Sequence, residues 1–195
     1  MQKLYTLLDK YNDSDTAGRQ KLKEEIWKEY GQTKAPLILD MSGFSRLVQR
    51  YGILHYLGMI RRMQVACKPI VERLMGSVVK FEADNMYACF DKPRKAIDAA
   101  ININIAINAM NTMTPDQEDL GVSIGIGFGE ILMIQNQDFY GDAVNLASKL
   151  GEDIAERNEI LVTDNVYEQC KDDYQFEKVE MTVSGLQIIC YRVKY

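Results

Sequence analysis

The chain has 195 residues, with 23 Lys and Arg against 28 Asp and Glu and a formal net charge of −5. That balance, with no run of basic residues, argues against a nucleic-acid partner. Hydrophobic residues make up 47% of the sequence, enough to bury the core of one domain with an appendage. No apolar stretch approaches the roughly 20 residues that span a bilayer, and the N-terminal MQKLYTLLDKYNDSD is too polar for a signal peptide. A cytoplasmic protein with no membrane segment is expected.

Residues 1–34 are charged and read as two short helices joined by the polar break NDSDTAG. In the second, Leu22, Ile26 and Tyr30 recur on one stripe with Trp27 beside it. This N-terminal segment is expected to be regulatory or a dimer contact, and residues 35–195 to form the main domain. APLILD then reads as a short buried strand ending in an acid. Residues 42–76 read as helix interrupted near Pro69, and SVVKFEADNMYACF as a hairpin. PRKAIDAAININIAINAMNTM is too long for an ordinary strand and reads as helix, with Ile97, Ile101, Ile105 and Met110 among its apolar positions. VSIGIGFGEILMI reads as two strands about a turn at Gly129–Glu130. A helix follows, entered through Gly141 and Asp142, then a strand, a short helix and a final pair of strands.

From residue 36 the order is β-α-β-β-α-β, the split βαβ or ferredoxin-like arrangement. The fold class is α+β: a βαββαβ core with a C-terminal αβαββ extension, and a mainly antiparallel sheet with helices on one face. Cys67, Cys89, Cys170 and Cys190 form no C-x-x-C pair, and all lie in apolar segments, so reduced core cysteines are expected. The single histidine, His55, cannot build a histidine-rich zinc site. Carboxylates, Lys and Arg must carry any chemistry.

KFEADN, residues 80–85, breaks the hairpin's two apolar runs with charge. A turn accounts for Asp84 and Asn85, which tolerate tight backbone, but not for Lys80 inside the strand. In the split βαβ topology the first strand and the hairpin are neighbours, so Asp40 and Asp84 can project at one edge of the sheet. Two close carboxylates repel unless a cation sits between them. Magnesium takes one or two carboxylates together with substrate phosphates. Met41-Ser42-Gly43-Phe44-Ser45 leads into a helix N-terminus, where free N–H groups and the helix dipole attract phosphate. The same residues also read as an N-cap, Ser42, followed by a turn glycine.

LILDMSGFSRL, VVKFEADNMYACF, VSIGIGFGEI and DFYGDAVNLASKL together resemble the class III nucleotidyl cyclase catalytic domain, over about residues 36 to 195. The resemblance implies a homodimer with sites at the interface, acting on a nucleoside triphosphate with two divalent metal ions, Mg2+ or Mn2+. Asp40 and Asp84 match the metal-binding aspartates, and the amides of Met41, Ser42, Gly43 and Phe44 match the triphosphate turn. Lys80 and Asp138 match the adenine-reading pair. Guanylate cyclases resembling this domain usually carry Glu and Cys there, so ATP is the expected substrate and cyclic AMP and pyrophosphate the products. Asn145 matches the ribose-orienting asparagine, and Lys149 stands where the family has a phosphate-stabilising arginine. The metal aspartates would come from one chain, and Lys80, Asp138, Asn145 and Lys149 from the other.

Two positions depart from the pattern. Lys149 keeps the charge but loses the planar fork that can grip two oxygens. Ala83 replaces the usual glycine before the metal aspartate, which costs about 1 kcal/mol if that residue needs positive φ, unless Asn85 takes the left-handed position instead. Besides an adenylate cyclase, the sequence leaves open a cyclase with GTP or pyrimidine specificity, a catalytically weak nucleotide-binding regulatory module, and a polymerase-palm nucleotidyltransferase. Regulation could also come from a separate protein.

Overall fold

A computed structural model describes residues 2–42, 50–115, 119–183 and 186–195. Helices α1 (Gln2–Asp13) and α2 (Thr16–Tyr30) form the expected N-terminal pair. Asp15 caps α2, its carboxylate accepting from the Gly18 N–H at 2.8 Å. Leu4, Leu7 and Ile26, with Leu22 and Tyr30 beside them, pack against Ile134 and Leu132. The stripe read at helical spacing therefore buries against the main body.

Strand β1 (Gly31–Met41) is longer than the expected APLILD. It is followed by α3 (Ile53–Arg73), β2 (Ser77–Glu82), β3 (Asn85–Phe90), α4 (Pro93–Asn111) and β4 (Val122–Ile126). These four strands lie in the order β2-β3-β1-β4, with β1 antiparallel to both its neighbours, which is the split βαβ arrangement. β5 (Gly129–Ile134) and β6 (Asp138–Tyr140) form an arm on β1. Helix α5 (Asp142–Ser148) continues as a π-helical segment over Lys149–Ile154. β7 (Ile160–Val162), α6 (Asp164–Cys170), β8 (Gln175–Val183) and β9 (Leu186–Lys194) complete the sheet.

Four expectations need correction. Pro69 does not interrupt α3. The carbonyl that loses its partner there belongs to Val65, and both residues are exposed, so water can take the missing bond. No turn lies at Gly129–Glu130. β4 and β5 run along β1 in one register, Leu37 opposite Ile126 and Lys34 opposite Gly129. The Gly127 N–H donates to the Pro36 carbonyl between them, and the chain reverses only after Ile134, at Gln135 and Asn136. A Cβ at Gly127 would lie 2.2 Å from the Ala143 carbonyl oxygen, so this glycine lets α5 approach the strand. Ile105 is exposed, because the buried face of α4 runs through Ala96, Ala100, Ile103 and Ile107. Finally, helices are not confined to one face. α3, α4 and α6 share the main core with Leu37, Leu39 and Phe90. α5 packs on the opposite face with Val79, Cys89 and Ile131.

All four cysteines are buried and reduced, and burial pushes the Cys67 and Cys89 thiols up to about 12. None is poised as a nucleophile at neutral pH.

Candidate active site

Asp40 is the half-buried penultimate residue of β1. Asp84 is the second residue of the two-residue turn between β2 and β3, where Glu82 pairs with Asn85. Because β3 lies beside β1, the turn comes to the carboxyl end of β1. Burial, then the negative charge of Asp84, then Glu152, push the Asp40 carboxyl up to about 7, against one hydrogen bond from the Met41 N–H. Ala83 takes the left-handed conformation in this turn, at φ 50°. Asn85 does not share it, so the departure from glycine at position 83 carries real strain.

The donor set fits a hard divalent cation. Two carboxylates converge where burial first, and then their mutual repulsion, favours a proton on Asp40 near neutrality. Asn85 Oδ1, beside Asp84, is buried without a hydrogen-bond partner among the described residues. Among those residues no cluster of three or more metal-binding His, Cys, Asp or Glu side chains forms. The pair alone matches the one or two carboxylates that magnesium takes alongside phosphate oxygens.

A second group lies along β2. The Lys80 ammonium is 3.2 Å from Asp138 Oδ1 and 2.9 Å from Glu82, and stands 4.9 Å above the Tyr87 ring. Burial pulls the Lys80 pKa down, but hydrogen bonds to Glu82 and Asp138 outweigh it and leave it raised. Burial likewise pushes Asp138 up, and bonds from Tyr140, Lys80 and the Phe139 N–H outweigh it and leave it lowered. Asp138 Oδ2 accepts from the Tyr140 hydroxyl at 2.7 Å, and Oδ1 accepts from the Phe139 N–H at 2.9 Å. The carboxylate is thus fixed from three sides.

Asn145 is exposed on α5. Lys149, one turn on, opens the π-helical segment and pairs with Asp153 at 2.5 Å. Of the expected phosphate turn, the Ser42 N–H donates to the Gly121 carbonyl at 2.9 Å. Gly43 and Phe44 lie outside the described residues.

Several residues at these groups escaped the sequence reading. Tyr56 donates from α3 to Asp84 Oδ2 at 2.6 Å, Tyr87 donates to Glu152 at 3.0 Å, and Tyr140 holds Asp138. In the sequence Tyr56 and Tyr87 look like ordinary members of apolar stripes. Only Tyr140, two residues after an expected site acid, carried a positional signal.

The model of the adenylate and guanylate cyclase catalytic domain matches residues 33–194. A protein of Rhizobium meliloti (strain 1021) named "Putative adenylate cyclase 3" is 27% identical over 134 residues, 69% of this chain and 22% of that protein. The chain thus spans about a fifth of the length of that curated relative. A crystal structure of an adenylate/guanylate cyclase/hydrolase from Silicibacter pomeroyi superposes with a TM-score of 0.70 and 29% identity, covering 84% of this chain and 96% of that one. The adenylyl cyclase CyaB from P. aeruginosa gives 0.71 at 20% identity, over 85% and 96% of the two chains. The catalytic core of a rhodopsin-guanylyl cyclase with converted specificity, in complex with ATPalphaS, gives 0.74 at 20% identity, over 85% and 96%. The last two establish likeness of fold.

Proposed function

The chain belongs to the family of adenylate and guanylate cyclase catalytic domains, and from that premise we propose that it converts ATP to 3′,5′-cyclic AMP and pyrophosphate as a homodimer. The observation that carries the choice of ATP is the ion pair between Lys80 and Asp138. An ammonium can donate to an adenine ring nitrogen, and a carboxylate can accept from the exocyclic amine. Guanine presents the opposite pattern at that edge. Tyr140 and the Phe139 N–H hold the Asp138 carboxylate in place before any base arrives, so little reorganisation is needed on binding.

Asp40 and Asp84 of one protomer would hold two divalent ions. When bound, such ions neutralise phosphate charge and lower the pKa of the ribose 3′-hydroxyl. Asn145 of its partner orients the ribose. Lys149 of its partner stabilises charge on the α-phosphate, after leaving Asp153. The Ser42 amide already serves Gly121, so it reaches a phosphate oxygen only by releasing that bond. Amides of Gly43 and Phe44 complete the proposed triphosphate turn. Residues 1–34 are proposed as a regulatory or dimer-contact segment set against β5. No helix among the described residues is long and apolar enough to cross a membrane, and a cytoplasmic setting is proposed.

A second reading, a nucleotide-binding regulatory module, is favoured by one observation: Lys149, already a replacement for arginine, is paired within its own helix. Purified protein supplied separately with ATP, GTP, CTP and UTP, under Mn2+ and then Mg2+, decides between them, with cyclic products identified by mass. Cyclic AMP from wild type and none from Asp40→Ala is the expected result. A different cyclic product overturns the reading of Lys80 and Asp138. ATP binding without any product favours the regulatory module.

A further inference from the structure

The apolar stripe of α3 runs Tyr56, Met59, Ile60, Met63, Cys67 at helical spacing, all buried in the main core. Only the first of these carries a hydroxyl. Tyr56 is 2% exposed, so its ring is fixed by packing, and a phenylalanine would fill the same space. A buried phenol O–H requires a partner. It finds Asp84 Oδ2 at 2.6 Å, in the short range of bonds to an ionised oxygen. A phenol is protonated at neutral pH and a carboxylate offers only acceptors, so Tyr56 donates and Asp84 accepts.

Asp84 needs such a restraint. It occupies a two-residue turn directly after Ala83 in a left-handed conformation, so a bond from outside the hairpin can fix the direction of its side chain. Tyr56 comes from a different element. It lies in the first turn of α3, just beyond Gly52, whose φ of 83° opens the helix.

Resting on the reading of Asp40 and Asp84 as metal ligands, we propose that Tyr56 is a positioning residue: its hydroxyl ties up Asp84 Oδ2 and presents Oδ1 for a divalent cation. The same bond joins the start of α3 to the hairpin turn. Loss of a group that orients a metal-binding carboxylate costs about 10–100-fold in metal affinity.

The test is Tyr56→Phe beside Asp84→Asn. Mn2+ binding to the full chain would be read by electron paramagnetic resonance in the presence of a non-cyclisable ATP analogue. Metal titrations of cyclase rate and thermal melting would run in parallel. For Tyr56→Phe the expected result is Mn2+ binding weakened about 10–100-fold. The metal concentration for half-maximal rate should rise by a similar factor, with kcat largely recovered at saturating metal. Asp84→Asn should lose Mn2+ binding more completely. Wild-type Mn2+ affinity in Tyr56→Phe, with binding lost in Asp84→Asn, overturns the role of Tyr56 and leaves the metal site standing. A lowered melting temperature with unchanged Mn2+ affinity would likewise reduce Tyr56 to a packing residue. Unchanged binding in Asp84→Asn overturns the metal reading itself.

Discussion

Lys80 and Asp138 are 58 positions apart in the sequence and 3.2 Å apart in space, joined from strand β2 to strand β6. A β-bulge makes this contact. Val78 pairs with Ala88 and Lys80 pairs with Tyr87, so Val79 is the extra residue. Strict alternation would put Val79 and Lys80 on opposite faces. With the bulge, Val79 packs on the α5 face and Lys80 meets Asp138 of the arm that lies there, while Phe81 returns to the main core.

If this pair reads the base, removing either partner leaves the other charged and less well satisfied. Lys80→Ala and Asp138→Ala should each lower kcat/KM for ATP by about 10–100-fold, the range expected for a charge-assisted hydrogen bond of about 1.5–3 kcal/mol. The double variant should lose less than the product of the two, because the residues act on one another. Steady-state rates on the four proteins check this. Strictly multiplicative losses would show that they contact substrate independently.

Lys149 has a clear expected outcome as well. Lys149→Ala removes the side-chain charge proposed for the α-phosphate and should lower kcat by about 10²–10³, with KM for ATP little changed. Asp153→Asn, which frees the ammonium, should not lower kcat. A drop in kcat for Asp153→Asn would mean that the ion pair holds Lys149 in its working position.

The metal-free protein should depend on pH through Asp40. In the folded protein its pKa of about 7 lies well above the ordinary carboxylate range, so the folded state binds the proton more tightly than the unfolded chain. The resulting penalty on stability is full above pH 7, shrinks as pH falls through 7, and is gone below about pH 4. In EDTA, wild type should therefore gain stability from pH 8 to pH 5 relative to Asp40→Asn. At pH 8 the variant should be the more stable, by about 1–3 kcal/mol once solvent screening of this half-buried carboxylate is allowed for. Urea unfolding of both proteins at each pH measures it, and parallel pH curves would contradict the assignment.

Ala83→Gly should stabilise the fold. A left-handed residue with a Cβ costs about 1–2 kcal/mol, and glycine's extra freedom in the unfolded chain returns about 0.4–1 kcal/mol of that. The net gain should raise the melting temperature by about 2–4 °C. A lower melting temperature would show that the turn tolerates alanine without strain.

Much of the fold was legible because it rests on local patterns. The stripe Leu22, Ile26, Tyr30 and the long α4 announce themselves at helical spacing, and the alternating runs either side of Asp84 announce a hairpin. The order β-α-β-β-α-β then leaves one compact sheet arrangement for the first four strands. The turn expected at Gly129–Glu130 failed for an instructive reason. Glycine is commonly read as a signal for chain reversal, yet Gly127 is needed for the close approach of Ala143. A packing constraint and a turn look alike in one dimension.

The sequence by itself determined the element order and the family. It also set down the residues proposed for the site, Asp40, Asp84, Lys80, Asp138, Asn145 and Lys149, because chemistry-bearing side chains in short local motifs survive in a linear reading. The tertiary structure alone decided which of them meet. The bulge at Val79 sends Lys80 to Asp138, the shared register of β4 and β5 carries the β6 arm to that face, and α3 brings the Tyr56 hydroxyl to Asp84. Each of these depends on contacts between residues distant in sequence. Propensity and periodicity describe only near neighbours, so they carry no information about such pairs.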